Sequence, residues 1–554
     1  MCTFQGSERA ELDADSPVAR EKPVMSQLRV ATPPSFEAVD AIDRRRLIAA
    51  VAALAAIPIV GQHRDAAGQG ATPAPVSGGI LRAGVQGDPT ELDPHLTVLA
   101  AAGLVIELVY EGLVDVGPDL LPHPALAESW DISADGLTYT FALRPGVTFH
   151  NGRALTADDV IYSIDRIQNP ETASPSASYT SGIAAIEAPD DATVVVTLAT
   201  PDASFLSKLG YWGVAIVPRE EVEKTGDLTQ TMVGTGPFTF TEYVPNTQVV
   251  LGRNASYWDT GKPYLDGVEL SIVPEDTSRT AALVSGTVDL IEQVPHKDIT
   301  TLQANDAVVL AGERTTNLRW IVFNLRRPPF DNIDFRKAVA MTIDRGPIID
   351  AAVFGHGEPL LGLFPDAFWA GYQGEIPAPD PEAAQALLAG VTLPADFAPR
   401  LLTWAQYGFL SNTSVVVQEQ LRQIGIAAEI DAQENAIYID NFFSGNFDIA
   451  VMGASGYLDP NEWLEQSLKT DGTNNAAGYS NPEFDALLEE GLGTTDQAAR
   501  AEIYQQAQQI IIDDAPWINL YTSNTFEGLG TKVRGFEHML SGGFYSLRNV
   551  WLEE

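Results

Sequence analysis

The densest group of polar side chains lies in "LRPGVTFHNGRALTADDVIYSI", residues 143–164. It contains His150, Arg153 and the adjacent pair Asp158 and Asp159, which are residue types that serve as general acids, general bases or metal ligands. Neighbouring side chains on a helix diverge by about 100°, so the two carboxylates do not converge on one substrate. We therefore interpret this stretch as scaffold.

The same stretch carries the signals of a strand–turn–helix joint. Asn151-Gly152 predicts a tight turn. Thr156 is a predicted N-cap, and Asp159 three residues later completes a capping box. Asp158 also lies in the first helical turn, where negative charge suits the helix dipole. His150 is then a structural residue that lies away from the pocket.

Other signatures of catalysis or metal binding are incomplete. The string at residues 453–457, "GASGY", lacks the last glycine of a nucleophile elbow. Gly234-Thr235-Gly236-Pro237 is not a dinucleotide fingerprint, because Thr239 replaces the third glycine and a strand follows. The one cysteine, Cys2, supports neither a disulfide nor a zinc site, and no two of the seven histidines form an H-x-x-x-H pair. We predict no enzyme, no metal site and no cofactor.

Composition bounds the class of protein. The chain has 554 residues, 45% of them apolar, which is typical of a globular protein of several structural units. Its formal net charge is −41. Nucleic-acid binding needs lysine and arginine to displace counterions from phosphates, so no nucleic-acid partner is expected. The simplest interpretation of the charge is a strongly solvated surface.

The N-terminal region carries an export signal. Arg44-Arg45-Arg46 precedes an apolar run of about 14 residues that is too short to cross a bilayer but typical of a signal peptide. The arginines followed by Leu47-Ile48 resemble a twin-arginine signal. No cysteine follows the apolar run, so no lipid anchor is expected there. We predict export, with a start at Met1 or Met25 and a mature protein that begins around residues 67–78.

The remaining chain divides into two patterns. Residues 130–250 consist mostly of short alternating runs separated by turn signals, which predicts an antiparallel meander. From about residue 317, strands and helices alternate, which predicts a largely parallel sheet covered by helices. Within this part, residues 400–432 form a predicted strand–helix–strand unit, and Asp380-Pro381 is a predicted helix start. A late helix is expected over residues 498–515.

The order of short motifs resembles the family 5 extracellular solute-binding proteins, the peptide and nickel class of ABC importers. The resemblance extends from Gly78 to the C-terminus. It rests on "LDPH" (92–95), "VYEGLV" (109–114), "LAESWDISADGLTYTFALRPGVTFHNGRALTADDVIYSI" (126–164), "GTGPF" (234–238), "RNASYW" (253–258), "KPYLDGVEL" (262–270), "AALVSGTVDL" (281–290), "FDNIDFRKAVAMTIDR" (330–345), "QLRQIGIAAEI" (420–430) and "GYSNPEFDALL" (478–488).

The resemblance implies an α/β, two-lobed periplasmic-binding-protein-like fold of type II, with the ligand cleft between the lobes. We expect signal and linker over residues 1–77 and lobe I over 78–320, with an inserted subdomain at about 120–230. Lobe II is expected over 321–515, and residues 516–554 return to lobe I.

The implied function is capture of a small solute by lobe closure and delivery to ABC permease subunits in the membrane. A peptide-like solute comes first because such ligands are common in the family. An oligosaccharide or a nickel or other metal chelate is the alternative, and a secreted hydrolase is a third hypothesis of a different class. The protein is expected to be a monomer in the periplasm or at the extracellular face of the membrane.

Candidate ligand contacts come from both lobes. Ligands bind beyond the carboxyl ends of parallel strands, which in lobe II indicates the loops after two predicted strands. The resemblance adds three loops of lobe I. The lobe II candidates are Trp404, Tyr407, Tyr457 and Trp463, and the lobe I candidates are His95, Tyr110, Tyr211, Trp212, Gly234, Thr235 and Gly236.

Asp459 has two interpretations. In Asp459-Pro460-Asn461-Glu462 it is a well-placed N-cap, with Glu462 closing a capping box, and ligand contact is the alternative. Peptide binders that this chain resembles hold the ligand's α-amine with an aspartate a few residues earlier. An ungapped alignment places Gly456 at that position, which counts against an ordinary peptide ligand and leaves room for sugars, opines or chelates.

Overall fold

The computed structural model describes residues 74–313, 315–366, 368–454 and 459–553, so the predicted export signal lies outside the described residues. The strands are, in chain order, β1 (Ile80–Val85), β2 (Val114–Val116), β3 (Pro122–Pro124), β4 (Ala127–Ile132), β5 (Thr138–Leu143), β6 (Ile183–Asp190), β7 (Thr193–Leu198), β8 (Phe238–Val244), β9 (Gln248–Arg253), β10 (Gly267–Ile272), β11 (Leu290–Ile291), β12 (Val308–Glu313), β13 (Leu318–Phe323), β14 (Gly357–Pro359), β15 (Arg400–Trp404), β16 (Glu429–Gln433), β17 (Ile449–Ala454), β18 (Trp517–Ser523), β19 (Thr525–Gly530), β20 (Val533–Arg534) and β21 (Trp551–Leu552).

The α-helices are, in chain order, α1 (Ala100–Val109), α2 (Ala157–Gln168), α3 (Ala177–Thr180), α4 (Phe205–Leu209), α5 (Arg219–Thr225), α6 (Asp276–Val284), α7 (Ile299–Gln303), α8 (Ile333–Thr342), α9 (Arg345–Val353), α10 (Pro381–Leu388), α11 (Gly408–Gln423), α12 (Asn435–Phe443), α13 (Pro460–Ser467), α14 (Pro482–Gly493) and α15 (Gln497–Asp514).

Lobe I is built on a seven-stranded sheet of order β12-β19-β11-β1-β10-β9-β8. Strand β1 runs parallel to β10 and β11, while the other pairs are antiparallel. A separate four-stranded sheet, β4-β5-β7-β6, is antiparallel throughout. Helix α2 packs Val160 and Ile164 against Phe141 and Val194 of that sheet. The predicted antiparallel meander is therefore confirmed.

Lobe II is built on a six-stranded sheet of order β14-β18-β13-β17-β15-β16. The predicted strand–helix–strand unit is confirmed, since β15 pairs parallel with β16 across α11. The prediction of a largely parallel sheet is wrong, because β13 is antiparallel to both β17 and β18, and β14 is antiparallel to β18. Strand β13 enters from lobe I and β18 returns to it, so these neighbours run in opposite directions.

Both faces of the six-stranded sheet are covered, which explains its continuous apolar runs. Along β13, Trp320 and Val322 join one core cluster, whereas Ile321 and Phe323 join the cluster on the opposite face. The two-residue period of a strand accounts for this division. Burial of each such large apolar side chain contributes about 1.5–3 kcal/mol.

Local signals at the helix ends agree with the structure. The Asp380 side chain accepts the Ala383 amide at 2.9 Å, with Pro381 at the first helical position. Asp496 caps the predicted late helix by accepting the Ala499 amide at 2.9 Å.

The chain passes between the two sheets twice. It passes first from β12 to β13 and then from β18 to β19. The lobe limits given above, near residues 320 and 515, stay predictions, and the sheets place the second passage between Ser523 and Thr525.

Candidate functional site

The two crossing segments are hydrogen-bonded to each other. The Asn317 side chain accepts the Ser523 amide and hydroxyl, both at 2.9 Å, and donates to the Ser523 carbonyl at 3.0 Å. The Thr315 hydroxyl donates to the same carbonyl at 3.2 Å. All three residues are buried. Such a short, internally bonded pair of segments is the kind of element that acts as a hinge between lobes.

A cleft of about 1000 Å³ lies beside these segments and is lined from both lobes. The lobes also touch around it. The Ala203 amide donates to the Leu492 carbonyl at 2.8 Å, and Tyr179 hydrogen-bonds the carboxylate of Glu462. Burial and the Glu462 charge raise the pKa of Tyr179, so its hydroxyl keeps its proton. The two lobes therefore contact each other as well as lining the same cleft.

Four sequence-predicted residues line this cleft: Tyr110, Tyr211, Trp212 and Tyr407. Tyr211 stacks on Tyr179 with ring centroids 4.4 Å apart and lies 4.8 Å from Trp212. A Cβ atom on Gly103 of α1 would lie 2.8 Å from the Trp212 Nε1, so the indole can pack here because that residue is glycine. From lobe II, Tyr407 is 38% exposed and contributes an open aromatic surface.

Trp404 and Trp463 do not line the cleft. Trp404 stacks on Tyr438 at 4.8 Å behind the Tyr407 ring. Trp463 is buried between Trp320 and Trp517 at centroid distances of 5.4 and 5.1 Å. The sequence rule that loops after parallel strands meet the ligand holds for the loop after β15, where residues 406–409 line the cleft. The loop after β17 stays a prediction, and packing directs the rings of Trp404 and Trp463 toward the core.

Asp459 also lies away from the cleft and is 2% exposed. Its carboxylate accepts the Asn461 amide at 2.9 Å, as an N-cap does, and receives two guanidinium hydrogen bonds from Arg500 at 2.8 and 2.9 Å. The predicted N-cap is therefore confirmed. Tyr457 and Gly456 lie outside the described residues, so the loop that would carry an amine anchor stays a sequence-based expectation.

His95 is fully buried in a polar network instead of the cleft wall. The Arg166 guanidinium donates to His95 Nδ1 at 2.9 Å and to both Asp93 oxygens at 2.9 and 2.7 Å. Because Nδ1 accepts, Nε2 carries the proton and donates to the Ala215 carbonyl at 2.8 Å. Burial, with the Arg166 charge adding, lowers the pKa of His95 to about 4, so the imidazole is neutral.

Gly234, Thr235 and Gly236 form a backbone contact behind α1. A Cβ atom at Gly234 would lie 2.0 Å from the Val109 carbonyl oxygen, which only glycine permits. The Thr235 hydroxyl donates to Glu111 at 2.8 Å, and Glu111 also accepts Tyr257 at 2.8 Å. Glu111 itself lines the cleft, whereas the three loop residues support it from behind.

His150 fastens the same loop. Its Nδ1 accepts the Gly234 amide at 3.3 Å, and its Nε2 donates to the Gly236 carbonyl at 3.0 Å. Burial lowers its pKa, which keeps it neutral. Within the opening motif, Arg153 holds Asp159 through two guanidinium hydrogen bonds at 2.9 and 2.6 Å, and the capping box with Thr156 is present. The structural interpretation of this motif is confirmed.

We expect His150→Ala to lower the free energy of unfolding by about 1–3 kcal/mol, since it removes two partly buried hydrogen bonds. Solute affinity should stay within about twofold, because the side chain does not line the cleft. Urea unfolding and solute titration calorimetry measure the two effects. His123→Ala, at a residue whose side chain is 48% exposed, is the control and should change stability by less than about 0.5 kcal/mol. Loss of affinity with unchanged stability would restore His150 as a ligand contact.

Sequence reasoning missed the acidic wall of the cleft. Glu107 on α1 and Asp115 on β2 line it next to Glu111. Burial, with repulsion from Asp115, raises the pKa of Glu107 to about 7. Burial also raises the pKa of Asp115 to about 6, partly offset by Arg548. The available signal was a pair of glutamates four residues apart in the apolar stretch at residues 104–114.

The described ranges contain neither a grouped set of metal ligands nor a membrane-spanning helix. Within the described ranges, no three histidine, cysteine, aspartate or glutamate side chains are grouped as a metal site requires. No helix there combines the length and apolarity needed to cross a bilayer.

Comparisons with known proteins agree with this architecture. The family model described as bacterial extracellular solute-binding proteins, family 5 middle, matches residues 122–475. The heme-binding protein A of Haemophilus influenzae is 34% identical over 446 residues, which are 75% of this chain and 81% of that protein. The glutathione-binding protein GsiB of Pectobacterium atrosepticum is 29% identical, covering 84% of this chain and 92% of that protein.

Among solved structures, the Helicobacter pylori periplasmic binding protein DppA in complex with the peptide STSA superposes with a TM-score of 0.74 at 28% identity. It covers 86% of this chain and 99% of that one. A two-lobed fold, a cleft beside two crossing segments and a family match over most of the described chain lead to one conclusion: the chain belongs to the family 5 bacterial extracellular solute-binding proteins.

Proposed function

We propose that this protein captures a small solute in the cleft between its lobes and delivers it to its own ABC permease. A peptide-like solute is the first candidate. The protein is a solute-binding component of an ABC importer, and its family implies export to the periplasm. The observation that carries the proposal is the cleft of about 1000 Å³, lined from both lobes, which also contact each other at Ala203–Leu492 and Tyr179–Glu462. A volume of this size suits a ligand of several residues or sugar units.

An oligosaccharide or a metal chelate is the second candidate. The stacked rings of Tyr179 and Tyr211, with Trp212 beside them, form a flat wall of the kind that holds a sugar ring. The glycine that the sequence places at the expected amine anchor favours this candidate too.

A thermal-shift screen of peptides, oligosaccharides and nickel chelates tests the proposal. A solute present at about 100 times its dissociation constant adds about 2.7 kcal/mol of stability. A shift by one class only would identify the ligand class. The binding proposal fails if no class raises the melting temperature while the protein turns over a generic ester or glycoside, which would favour the hydrolase hypothesis.

We also propose that the protein acts as a monomer without catalytic activity and leaves the cytoplasm by the twin-arginine pathway. The export proposal rests on Arg44-Arg45-Arg46 and the apolar run behind them. Lysine replacements at the paired arginines should leave the precursor inside the cell; unchanged export would contradict this route.

A further inference from the structure

The charges that line the cleft are divided unevenly between the lobes. Among the described residues, its carboxylates all come from lobe I: Glu107, Glu111, Asp115, Asp276, Glu292 and Glu527. The charged residue that lobe II contributes is Arg319, and its other lining side chains include Phe354, Tyr407 and Phe409. The lobe I wall therefore carries six carboxylates beside the two cations Arg279 and Lys297, and the opposite wall is largely aromatic.

Three of these six carboxylates already have side-chain partners. Asp276 pairs with Arg279 at 2.7 Å, and Glu527 pairs with His538 at 2.8 Å. Glu111 accepts hydrogen bonds from Thr235, Tyr257 and Trp258, as described for the loop behind α1. These groups belong to the scaffold of lobe I.

Glu107, Asp115 and Glu292 form no ion pair within 4.0 Å in the part of the chain that the structure describes. Glu292 accepts the Gln86 amide and lies near the positive charge of Arg279, whereas Glu107 and Asp115 repel each other. Backbone amides of Phe544 and Val116 donate to them, each at 2.9 Å. The nearby Arg548 lies behind the wall, 5% exposed and 3.7 Å from Glu111. Glu107 and Asp115 are therefore two partly buried carboxylates that line the cleft and repel each other, and the charge of Arg548 offsets only part of the effect of their burial.

An aromatic surface adjoins this pair. Tyr211 lies close enough to Glu107 for that charge to add to burial and to Glu462 in raising the Tyr211 pKa. Tyr545 donates its hydroxyl to Asp115. Carboxylates next to aromatic side chains form an environment that attracts ammonium and guanidinium groups.

We propose that Glu107, Asp115 and Tyr211 form a subsite for a positively charged ammonium or guanidinium group of the solute, whose apolar part lies against Tyr407 and Phe409 of lobe II. This inference rests on the proposed solute-binding function. The proposed subsite lies on lobe I, whereas the loop that holds Gly456 belongs to lobe II. A solute with an anionic group at this wall would add a third negative charge beside Glu107 and Asp115.

The test uses the exported full-length protein and probes matched in shape. The tripeptide amide Leu-Phe-Leu-NH₂ carries one positive charge, its N-acetyl form none and its N-succinyl form one negative charge. Phenethylamine and phenethyl alcohol form a second pair, which separates a peptide amine from a free amine. Calorimetry at pH 7 should show the cationic member of at least one set binding about 10- to 100-fold more tightly than its neutral partner.

The variants Glu107→Gln and Asp115→Asn should each remove about tenfold or more of that preference. Glu490→Gln, at an exposed residue of α14, is the matched loss of one negative charge and should leave affinity within about twofold. Melting temperatures of the unliganded variants verify folding. Because each residue is tested separately, failure of one variant to fold leaves the other decisive.

A second measurement is the number of protons that the protein releases when a cation binds. At pH 7 Glu107 is close to its pKa, with Asp115, Glu111, Tyr211, Tyr545 and Arg548 facing it, so binding of a cation should release a fraction of a proton. Titration in two buffers of different ionisation enthalpy measures this release, which Glu107→Gln should abolish. A purely structural role for Glu107 would leave the release unchanged.

The outcomes separate the two proposals. Equal or tighter binding of the neutral or anionic probes, or affinities that both variants leave unchanged, would overturn the cation subsite. So would a solute screen in which only anionic or neutral compounds bind, and in that case the solute-binding function stands. If neither the probes nor any compound of the screen binds, both proposals fail.

Discussion

Replacing Asp459 with alanine is expected to lower the free energy of unfolding by about 3–5 kcal/mol, because it leaves the buried Arg500 guanidinium without its counterion. Arg500 is 5% exposed, and both of its terminal nitrogens donate to Asp459. The remaining partners, the Gly491 carbonyl at 2.9 Å and the Tyr504 hydroxyl at 3.1 Å, do not supply a negative charge. Urea unfolding followed by tryptophan fluorescence measures the loss.

Asp380→Ala is the matched control for this variant. Asp380 is also an aspartate N-cap before a proline, but it is exposed and has no buried arginine, so its loss should cost about 1 kcal/mol. The difference between the two variants isolates the buried ion pair from the cap. If Asp459→Ala unfolds like the wild type and instead loses solute affinity, Asp459 is a ligand contact and its structural role is refuted.

The second large effect is expected at Arg166. Arg166→Met keeps much of the side-chain volume but removes the cation from Asp93, whose carboxyl is fully buried. Burial alone would raise the pKa of Asp93, and hydrogen bonds from Arg166 hold it below its usual value. We expect a loss of about 3–5 kcal/mol at pH 7, measured by urea unfolding.

The pH dependence of this loss follows from its cause. Without Arg166 the Asp93 pKa rises above its unfolded value, so the folded variant takes up a proton as the pH falls and its deficit relative to wild type shrinks toward pH 5. Arg422→Met, which breaks an exposed pair with Glu419, should cost less than about 1 kcal/mol at either pH. An Arg166 deficit that grows on acidification would contradict this account.

These two networks show how far sequence reasoning reached. The Asp459 cap was predictable, because a cap depends on residues within one helical turn. Its partner Arg500 lies 41 residues away on α15, and no local pattern connects the two. His95 shows the same limit. The resemblance predicts it as a ligand contact, whereas the fold places it against Arg166 in the interior.

The cleft wall shows the same limit. Tyr211, Trp212 and Tyr407 were named from loops that the family and the sheet rule bring to the cleft, and they line it. Trp404, the last residue of β15, and Trp463, on α13, were predicted by the same rule but pack against the core. Whether a ring at the end of a strand faces the ligand or the interior depends on rotamer and on neighbouring helices, which spacing along the chain does not specify.

The sequence by itself determined the turn at Asn151-Gly152, the caps at Thr156, Asp380 and Asp459, and the family, because each depends on short runs of residues in order. Only the tertiary structure decided that β13 and β18 run antiparallel and that Glu107 and Asp115 face one cavity. The reason is physical: strand direction depends on where the chain crosses between lobes, and the electrostatics of a carboxylate depend on the charges that folding brings near it.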